Sequence, residues 1–344
     1  VLKYLFDYLS GNVAVVAGDA YFSSFLSSSA NVEFWFLLFA AITFFVILAG
    51  VKNGVERVSK IMMPLLIILA IFVAIYSVTR PGALEGVKYF LIPNFENFSW
   101  MTVVTAMGQM FYSLSIAMGV LYTYGSYIDK DVDIEKSTAQ VEIFDTGVAL
   151  LAGLMVIPAV FAFSGGNMET LQAGPSLTFI TLPKIFASMG VGTLVGVAFF
   201  LMFLFAALTS AISLLETSVS TLEDELGWSR KKAAAVIGII MVLLGSLSAL
   251  GYGPLSGVTV IGMQFLDFFD FLTNSVMMPI AAIATCLLVT SVIGVEKIEE
   301  EVTQNGQPFR RKKVFNFMIR TLCPVFAAII LVSSVANALG WISM

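Results

Sequence analysis

Long apolar runs separated by short charged intervals pattern the whole chain, at residues 34–51, 58–79, 100–128, 139–163, 191–225, 231–251, 263–294 and 314–342. A bilayer crossing takes about 20 apolar residues in a helix, so each of the eight runs predicts a transmembrane helix. The third run, Trp100 to Ile128, is longer than one crossing needs. Its middle, Gly108 to Gly119, carries hydroxyls, an amide and small residues where the others carry Leu and Ile. That composition predicts a helix broken near the bilayer midplane. Backbone freed there must line a cavity or a bound ion, because lipid offers it no hydrogen bond. The competing expectation is one long tilted helix whose serines bond back to their own carbonyls.

Composition agrees with a membrane protein. Hydrophobic residues make up 58% of the 344 and charged residues 12%, about half the charge content of a soluble domain. The formal net charge of −5 disfavours a nucleic-acid partner. No histidine occurs, which removes the Ser-His triad and imidazole metal sites, and the reading is a non-enzyme. Cys286 and Cys323 fall inside apolar runs, as small hydrophobes do.

Charge also sets an expected orientation. Lys52, Arg57, Lys60, Lys130, Lys136, Arg230, Lys231, Lys232, Lys297, Arg310, Arg311, Lys312 and Lys313 lie in or beside alternate loops, and the opposite loops hold only Arg80, Lys88 and Lys184. The positive-inside rule makes the basic side cytoplasmic, and the expected location is the plasma membrane. Eight spans then leave both ends outside, yet residues 1–12 show no signal peptide. Val1 to Leu9 look like the tail of another helix. The expectation is therefore a fragment whose N-terminal part holds an odd number of spans. The opposite-side segment 164–190 carries an apolar piece, Leu177 to Phe186, that predicts a short helix over the mouth or at the interface.

Candidate chemistry sits inside the runs. In a helix, Thr209 and Ser210 can both bring hydroxyls to the Ala206 carbonyl, a set of oxygens suited to a hard cation; routine back-bonding or helix–helix hydrogen bonding gives the same pattern. Asp145 lies ~13 Å into its span at 1.5 Å per residue. A carboxylate there costs at least ~2.5–3.5 kcal/mol on insertion scales and should face a partner or a cavity. Glu216 raises the same question. Asp267 and Asp270 share one helix face near the far end of their span. Gly54 and Pro64 bracket the start of the second run, which predicts an unwinding inner half or a helix starting only at Pro64.

Several strings together resemble the neurotransmitter:sodium symporter family along almost the whole chain: Gly54 to Arg57 with Pro64, Gly108-Gln109 to Tyr127, Thr178 to Pro183, Phe205 to Ser210, and Leu222 to Glu225. The resemblance implies an all-α polytopic bundle with the inverted-repeat transporter fold known from the bacterial leucine transporter. It makes residues 1–344 one transmembrane domain, helices four to eleven, lacking the first three helices of the same protein. By resemblance, Ala206, Thr209 and Ser210 are ligands of the second of two sodium sites, and Ser113 belongs to the first. Tyr112, Ser115, Met118, Ser210 and Leu214 would line the substrate pocket. Asp270 would be the outer gate acid, and Asp224 with Ser126 and Tyr127 the inner gate cluster. Gly54 and Pro64 match the family's Gly-x9-Pro motif.

The seventh helix departs from that pattern. Asp145 stands where the family has an asparagine sodium ligand, and Ala149 where chloride-dependent members have a serine. A fixed carboxylate beside two sodium ions, with Gln109 nearby, implies that chloride is not required. The function implied is sodium-coupled symport of a small amino acid, hydrophobic or aromatic from Met118 and Leu214, by alternating access in a lipid bilayer. The alternative is a transport-dead binding or regulatory membrane protein, if the chain naturally starts at Val1.

Overall fold

The computed structural model describes residues 1–165, 174–304 and 306–341. The elements are α1 (Leu2–Leu9), α2 (Val13–Val16), α3 (Tyr21–Ser27), α4 (Ser29–Leu48), α5 (Val51–Val78), α6 (Ala83–Leu91), α7 (Trp100–Ser113), α8 (Val120–Tyr127), α9 (Ile134–Ser164), α10 (Leu177–Ser188), α11 (Gly192–Leu226), α12 (Arg230–Leu250), α13 (Phe265–Ile293), α14 (Val295–Thr303) and α15 (Lys312–Ala338). Among the described residues, α4, α5, α9, α11, α12, α13 and α15 are long and apolar enough to cross a membrane. The third apolar run is divided between α7 and α8, neither of which has the length to cross alone. The continuous tilted helix is thereby excluded. The expected mouth segment contains α10; its residues 166–173 lie outside the described part.

Contacts divide the chain into two compact units: Val1–Asn94 with Gly147–Thr259, and Phe95–Thr146 with Val260–Met344. The first unit is built on α11, which packs against α5, α12, α1, α4 and α10. Tyr4 and Tyr8, one turn apart on α1, are fully buried and lay their rings 5.2 and 5.3 Å from Phe200 of α11. The approach needs Gly196: a Cβ there would stand 2.0 Å from the Tyr8 ring. Tyr4 finishes its contact by donating from its hydroxyl to the Phe179 carbonyl at 2.9 Å. Apolar burial of Leu182, Ile185 and Phe186 docks α10 onto this core, and a Lys184–Asp19 ion pair closes its rim. The Tyr21 hydroxyl donates to Asp7, which also pairs with Lys3 at 2.6 Å; burial first, then Asp7, pushes the Tyr21 phenol above its ordinary range.

Helix α5 begins in π-helical geometry over Val51–Glu56, after Gly50 at φ +86°. Gly54 is buried so tightly on the end of α4 that a Cβ would meet the Val46 carbonyl oxygen at 2.0 Å. The helix therefore does not wait for Pro64, which lies inside it. The expectation of a late start is corrected: a widened π turn carries the chain through the glycine.

The second unit is joined by polar contacts as well as packing. The Tyr122 and Thr285 hydroxyls of α8 and α13 bond at 2.8 Å. The Glu135 carboxylate at the start of α9 accepts the backbone N–H groups of Arg310 and Arg311 at 2.8 and 3.2 Å. Arg311 also pairs with Glu142 at 2.8 Å, which raises its already high pKa. Lys312 pairs with Glu299 at 2.5 Å. In the sequence alone these basic residues count only as topology charges. Their acidic partners are distant in sequence, so only the fold pairs them.

Candidate functional site

The break between α7 and α8 has an identifiable cause. Helix α7 opens with a reciprocal cap between Ser99 and Thr102 and ends in the Schellman pattern: Ile116 N–H donates to Phe111 O at 3.1 Å and Ser115 N–H to Tyr112 O at 3.0 Å. Glycine usually takes the left-handed position of that motif, but here Ser115 does, at φ +52°, followed by Ala117 at +61° and Gly119 at +82°. Each left-handed non-glycine residue costs ~1–2 kcal/mol. The chain thus holds strain at the point where composition had predicted a break. The last carbonyls of α7 and the first amides of α8 have no intrahelical partner, so the break presents a negative and a positive helix end.

At the last residue of α7, the Ser113 hydroxyl donates to Asp145 Oδ1 of α9 at 2.5 Å. The partner sought for the deep carboxylate is this hydroxyl. Both groups keep lone pairs on their oxygens, giving an anionic oxygen cluster beside the helix break. Gln109 stands one turn before Ser113 on the same face of α7.

Helix α11 carries the other oxygen set. Thr209 Oγ1 lies 2.9 Å from Phe205 O and 3.1 Å from Ala206 O. Its proton goes to a carbonyl, which leaves its lone pairs turned away. Two ligands of a hard cation at ~2.3–2.6 Å, set at right angles or slightly less, stand about that far apart, so Thr209 Oγ1 and Ala206 O can share one ion. Only Thr209, however, approaches the Ala206 carbonyl. The Ser210 hydroxyl, expected there as well, makes no hydrogen bond among the described residues and is exposed, as is Leu214 one turn on. They form an open stripe on a helix whose apolar window is otherwise 50% buried.

The remaining expected residues are placed as follows. Tyr112, Ser115 and Met118 sit at or beside the break in the second unit, while Ser210 and Leu214 belong to the first. Asp270 accepts from Asn274 Nδ2 at 2.6 Å, one turn along α13, where π-helical geometry begins at Phe271. Ser126 donates to the Thr123 carbonyl of its own helix at 2.7 Å. Tyr127 is on α8 and Asp224 on the last turn of α11.

Glu216 also finds its partner. Fully buried on α11, it receives both terminal nitrogens of Arg230 at 2.5 and 3.0 Å. Arg230 further reaches Glu223 at 3.3 Å and donates twice to the Ile47 carbonyl at the end of α4. The sequence flagged the acid but counted Arg230 as a surface charge. The signal available was an arginine, capable of bidentate pairing, just past the end of the helix bearing a buried glutamate.

The profile of the sodium:neurotransmitter symporter family matches residues 12–340. This chain belongs to that family. A Bacillus subtilis protein described as an uncharacterized sodium-dependent transporter, YhdH, is 35% identical over 337 residues, 96% of this chain and 73% of its own length. The sodium- and chloride-dependent glycine transporter 2 of Xenopus laevis is 24% identical, over 88% of this chain and 40% of its own. Among solved structures, MhsT in complex with L-phenylalanine superposes with a TM-score of 0.84 and 36% identity, covering 97% of this chain and 75% of that one. The fold is that of an all-α, multi-pass membrane transporter, and the chain is a sodium-dependent transporter, not an enzyme.

Proposed function

We propose that this symporter couples sodium entry to uptake of an apolar or aromatic amino acid, using two sodium sites and no chloride. The observation that carries the proposal is the Ser113–Asp145 hydrogen bond at the strained break. In this reading the Asp145 carboxylate supplies the fixed negative charge that the entering cations require, so no mobile anion has to be recruited. The relative solved with L-phenylalanine supports an apolar cargo, as do Met118 beside the break and Leu214 on the open stripe of α11.

In this reading Thr209 Oγ1 and Ala206 O hold one sodium ion, with Ser210 turning its hydroxyl onto it. Ser113 and Asp145 hold the other, and Gln109 supports Asp145. Tyr112, Ser115, Met118, Ser210 and Leu214 contact substrate. The half-helix ends at the break receive its ammonium and carboxylate groups by dipole complementarity. Asp270 serves the outer gate; Asp224, Ser126 and Tyr127 serve the inner one. The basic loops face the cytoplasm and the membrane is the plasma membrane.

The energetics suffice. One sodium ion entering down −100 mV and a tenfold gradient releases about 3.7 kcal/mol. Two ions support roughly 10⁵-fold accumulation of a neutral solute.

The test is uptake of labelled phenylalanine and leucine by the full-length protein in proteoliposomes. An inward sodium gradient is expected to drive uptake, replacement of chloride by gluconate to leave it unchanged, and the Thr209→Ala/Ser210→Ala variant to abolish it. Loss of uptake in gluconate would overturn the chloride claim. Unchanged uptake in the double variant would overturn the α11 sodium site.

A further inference from the structure

Helices α4 and α12 leave a groove of about 470 Å³ between them, with an apolar lining. It exists because the residues at its floor are small: Ala40 and Ala41 on α4, Ala235 and Gly238 on α12. Phe44 crosses the floor, and a methyl group at position 238 would come to 3.0 Å from its ring. The flanking side chains of Ile239 and Leu243 are exposed, so the groove opens outward from the unit.

Its two ends differ. Beyond Leu243, the Phe36 ring abuts Gly245, where a Cβ would be 2.3 Å from its tip, and Ser246 bonds Glu33 at 2.5 Å. The apolar path stops there. At the opposite end, α12 starts with Arg230, Lys231 and Lys232. Arg230 is turned inward to Glu216 and Glu223. Lys231 makes no ion pair among the described residues and is exposed. At 100° per residue, Lys231, Ala235, Gly238 and Val242 form one stripe along the centre of the groove. Lys232 stands at its margin with Nζ 4.0 Å from the Trp228 ring centroid, an aromatic and a cation at the depth where both favour a membrane interface.

The lining on α12 runs from Ala235 to Leu243, a rise of ~12 Å, close to half of the ~30 Å hydrocarbon core. The path is one leaflet deep, closed at the midplane end and cationic at the headgroup end. We propose that it is a binding site for an anionic phospholipid, one acyl chain lying over Gly238 and the phosphate held by Lys231 and Lys232. A zwitterionic lipid would fill the same groove but gain little from the lysines. Lys231 stands one turn before Ala235 on the same face, so one molecule can cover both the cation and the chain entrance.

The experiment titrates phosphatidylglycerol and phosphatidylcholine separately into the detergent-purified full-length protein and counts retained lipid by native mass spectrometry. Wild type is expected to retain phosphatidylglycerol preferentially. Lys231→Gln and Lys232→Gln are expected to weaken it about fivefold each, leaving phosphatidylcholine unchanged. Ala235→Phe, at an exposed position that fills the groove, is expected to remove the preference with both lysines intact; Ile239→Trp is the second filling variant if Ala235→Phe does not fold. Equal retention of the two lipids by wild type overturns the site. So does retention unaffected by both filling variants, which means surface attraction alone. Filling variants that convert a dimer to a monomer without changing lipid retention show that a second copy occupies the groove, and also overturn it.

Discussion

The two units of this transporter solve opposite problems. The first unit is organised around one buried helix: half of the apolar stretch of α11 is inside the protein, against 22% for α13 and 11% for α15 of the second. Its polar groups are spent on holding elements together, as in the Arg230 clasp on Glu216 and Ile47 or the Ser77 hydroxyl on Met155 O at 2.7 Å. The second unit contains the broken helix and the left-handed Ser115, Ala117 and Ile261; π-helical stretches occur in both units, in α5 and α10 of the first and in α13 and α15 of the second. The difference teaches that the left-handed non-glycine residues and the most tightly packed helix fall in different units. The candidate oxygen set of Ala206 and Thr209 lies on the most buried helix of the first unit, whereas the Ser113–Asp145 pair lies beside strained backbone.

The sharpest way to break that picture is to remove the clasp. Arg230→Met removes the guanidinium paired with the fully buried Glu216, and breaking a buried ion pair from one side costs ~3–5 kcal/mol. We expect a large drop in the unfolding midpoint in detergent. The double variant Glu216→Leu/Arg230→Met should recover most of it, because the buried carboxylate is gone. A single variant that melts like wild type would show that the first unit is not held this way.

A smaller effect is expected at Gly196. Alanine there drives a methyl into the Tyr8 ring, and overpacking of this kind costs ~1–3 kcal/mol. Tyr8→Ala in the same background would relieve the clash, so the two changes together should cost less than their sum. Additive losses in thermal melts would mean that α1 is not seated on α11 through this pair.

The second unit should respond with the opposite sign. Ala117→Gly removes a left-handed penalty of ~1–2 kcal/mol and adds ~0.5–1 kcal/mol of chain entropy. The net expectation is stabilisation by ~0–1.5 kcal/mol, with slower uptake if the strain serves function. Destabilisation in a melt would show that the Ala117 side chain, not the backbone, matters.

The parts legible in the sequence were those with a local cause. Span positions follow from apolar runs, and the break at Ser113–Gly119 follows from polar and small residues that a lipid-spanning helix would not carry. Asp145 was legible as needing a partner, because an isolated charge at that depth is costly, but that Ser113 is the partner was seen only in the fold. What local reasoning missed depends on contacts distant in sequence. Arg230 on Glu216 and Ile47, and Glu135 on the amides of Arg310 and Arg311, leave no periodic trace. Of the two expectations for the start of α5 only the late start at Pro64 is overturned, and the sequence could not choose because a π turn through Gly54 has no composition distinct from an unwound one. Ser210 was placed on the Ala206 carbonyl by register alone, which fixes where a side chain starts but not its rotamer.

The weakest effect expected lies on the surface of the first unit, at the ion pair of Lys184 with Asp19. Lys184 holds the Asp19 carboxyl below its ordinary 3.8, by hydrogen bond first and charge second. A lowered folded value means that the pair favours the folded state above pH 3.8 and loses that contribution as pH falls through the lowered value. Asp19 is exposed, however, and exposed pairs are screened by water and salt. The seat of α10 is instead made by Ile185 and Phe186, both buried. Asp19→Asn should therefore leave the unfolding midpoint unchanged within error at neutral pH, while Phe186→Ala should lower it clearly. If Asp19→Asn matched Phe186→Ala, with salt erasing the difference from wild type, then charge would seat α10. The contrast between a packed unit and a strained one would have to be redrawn at its edge.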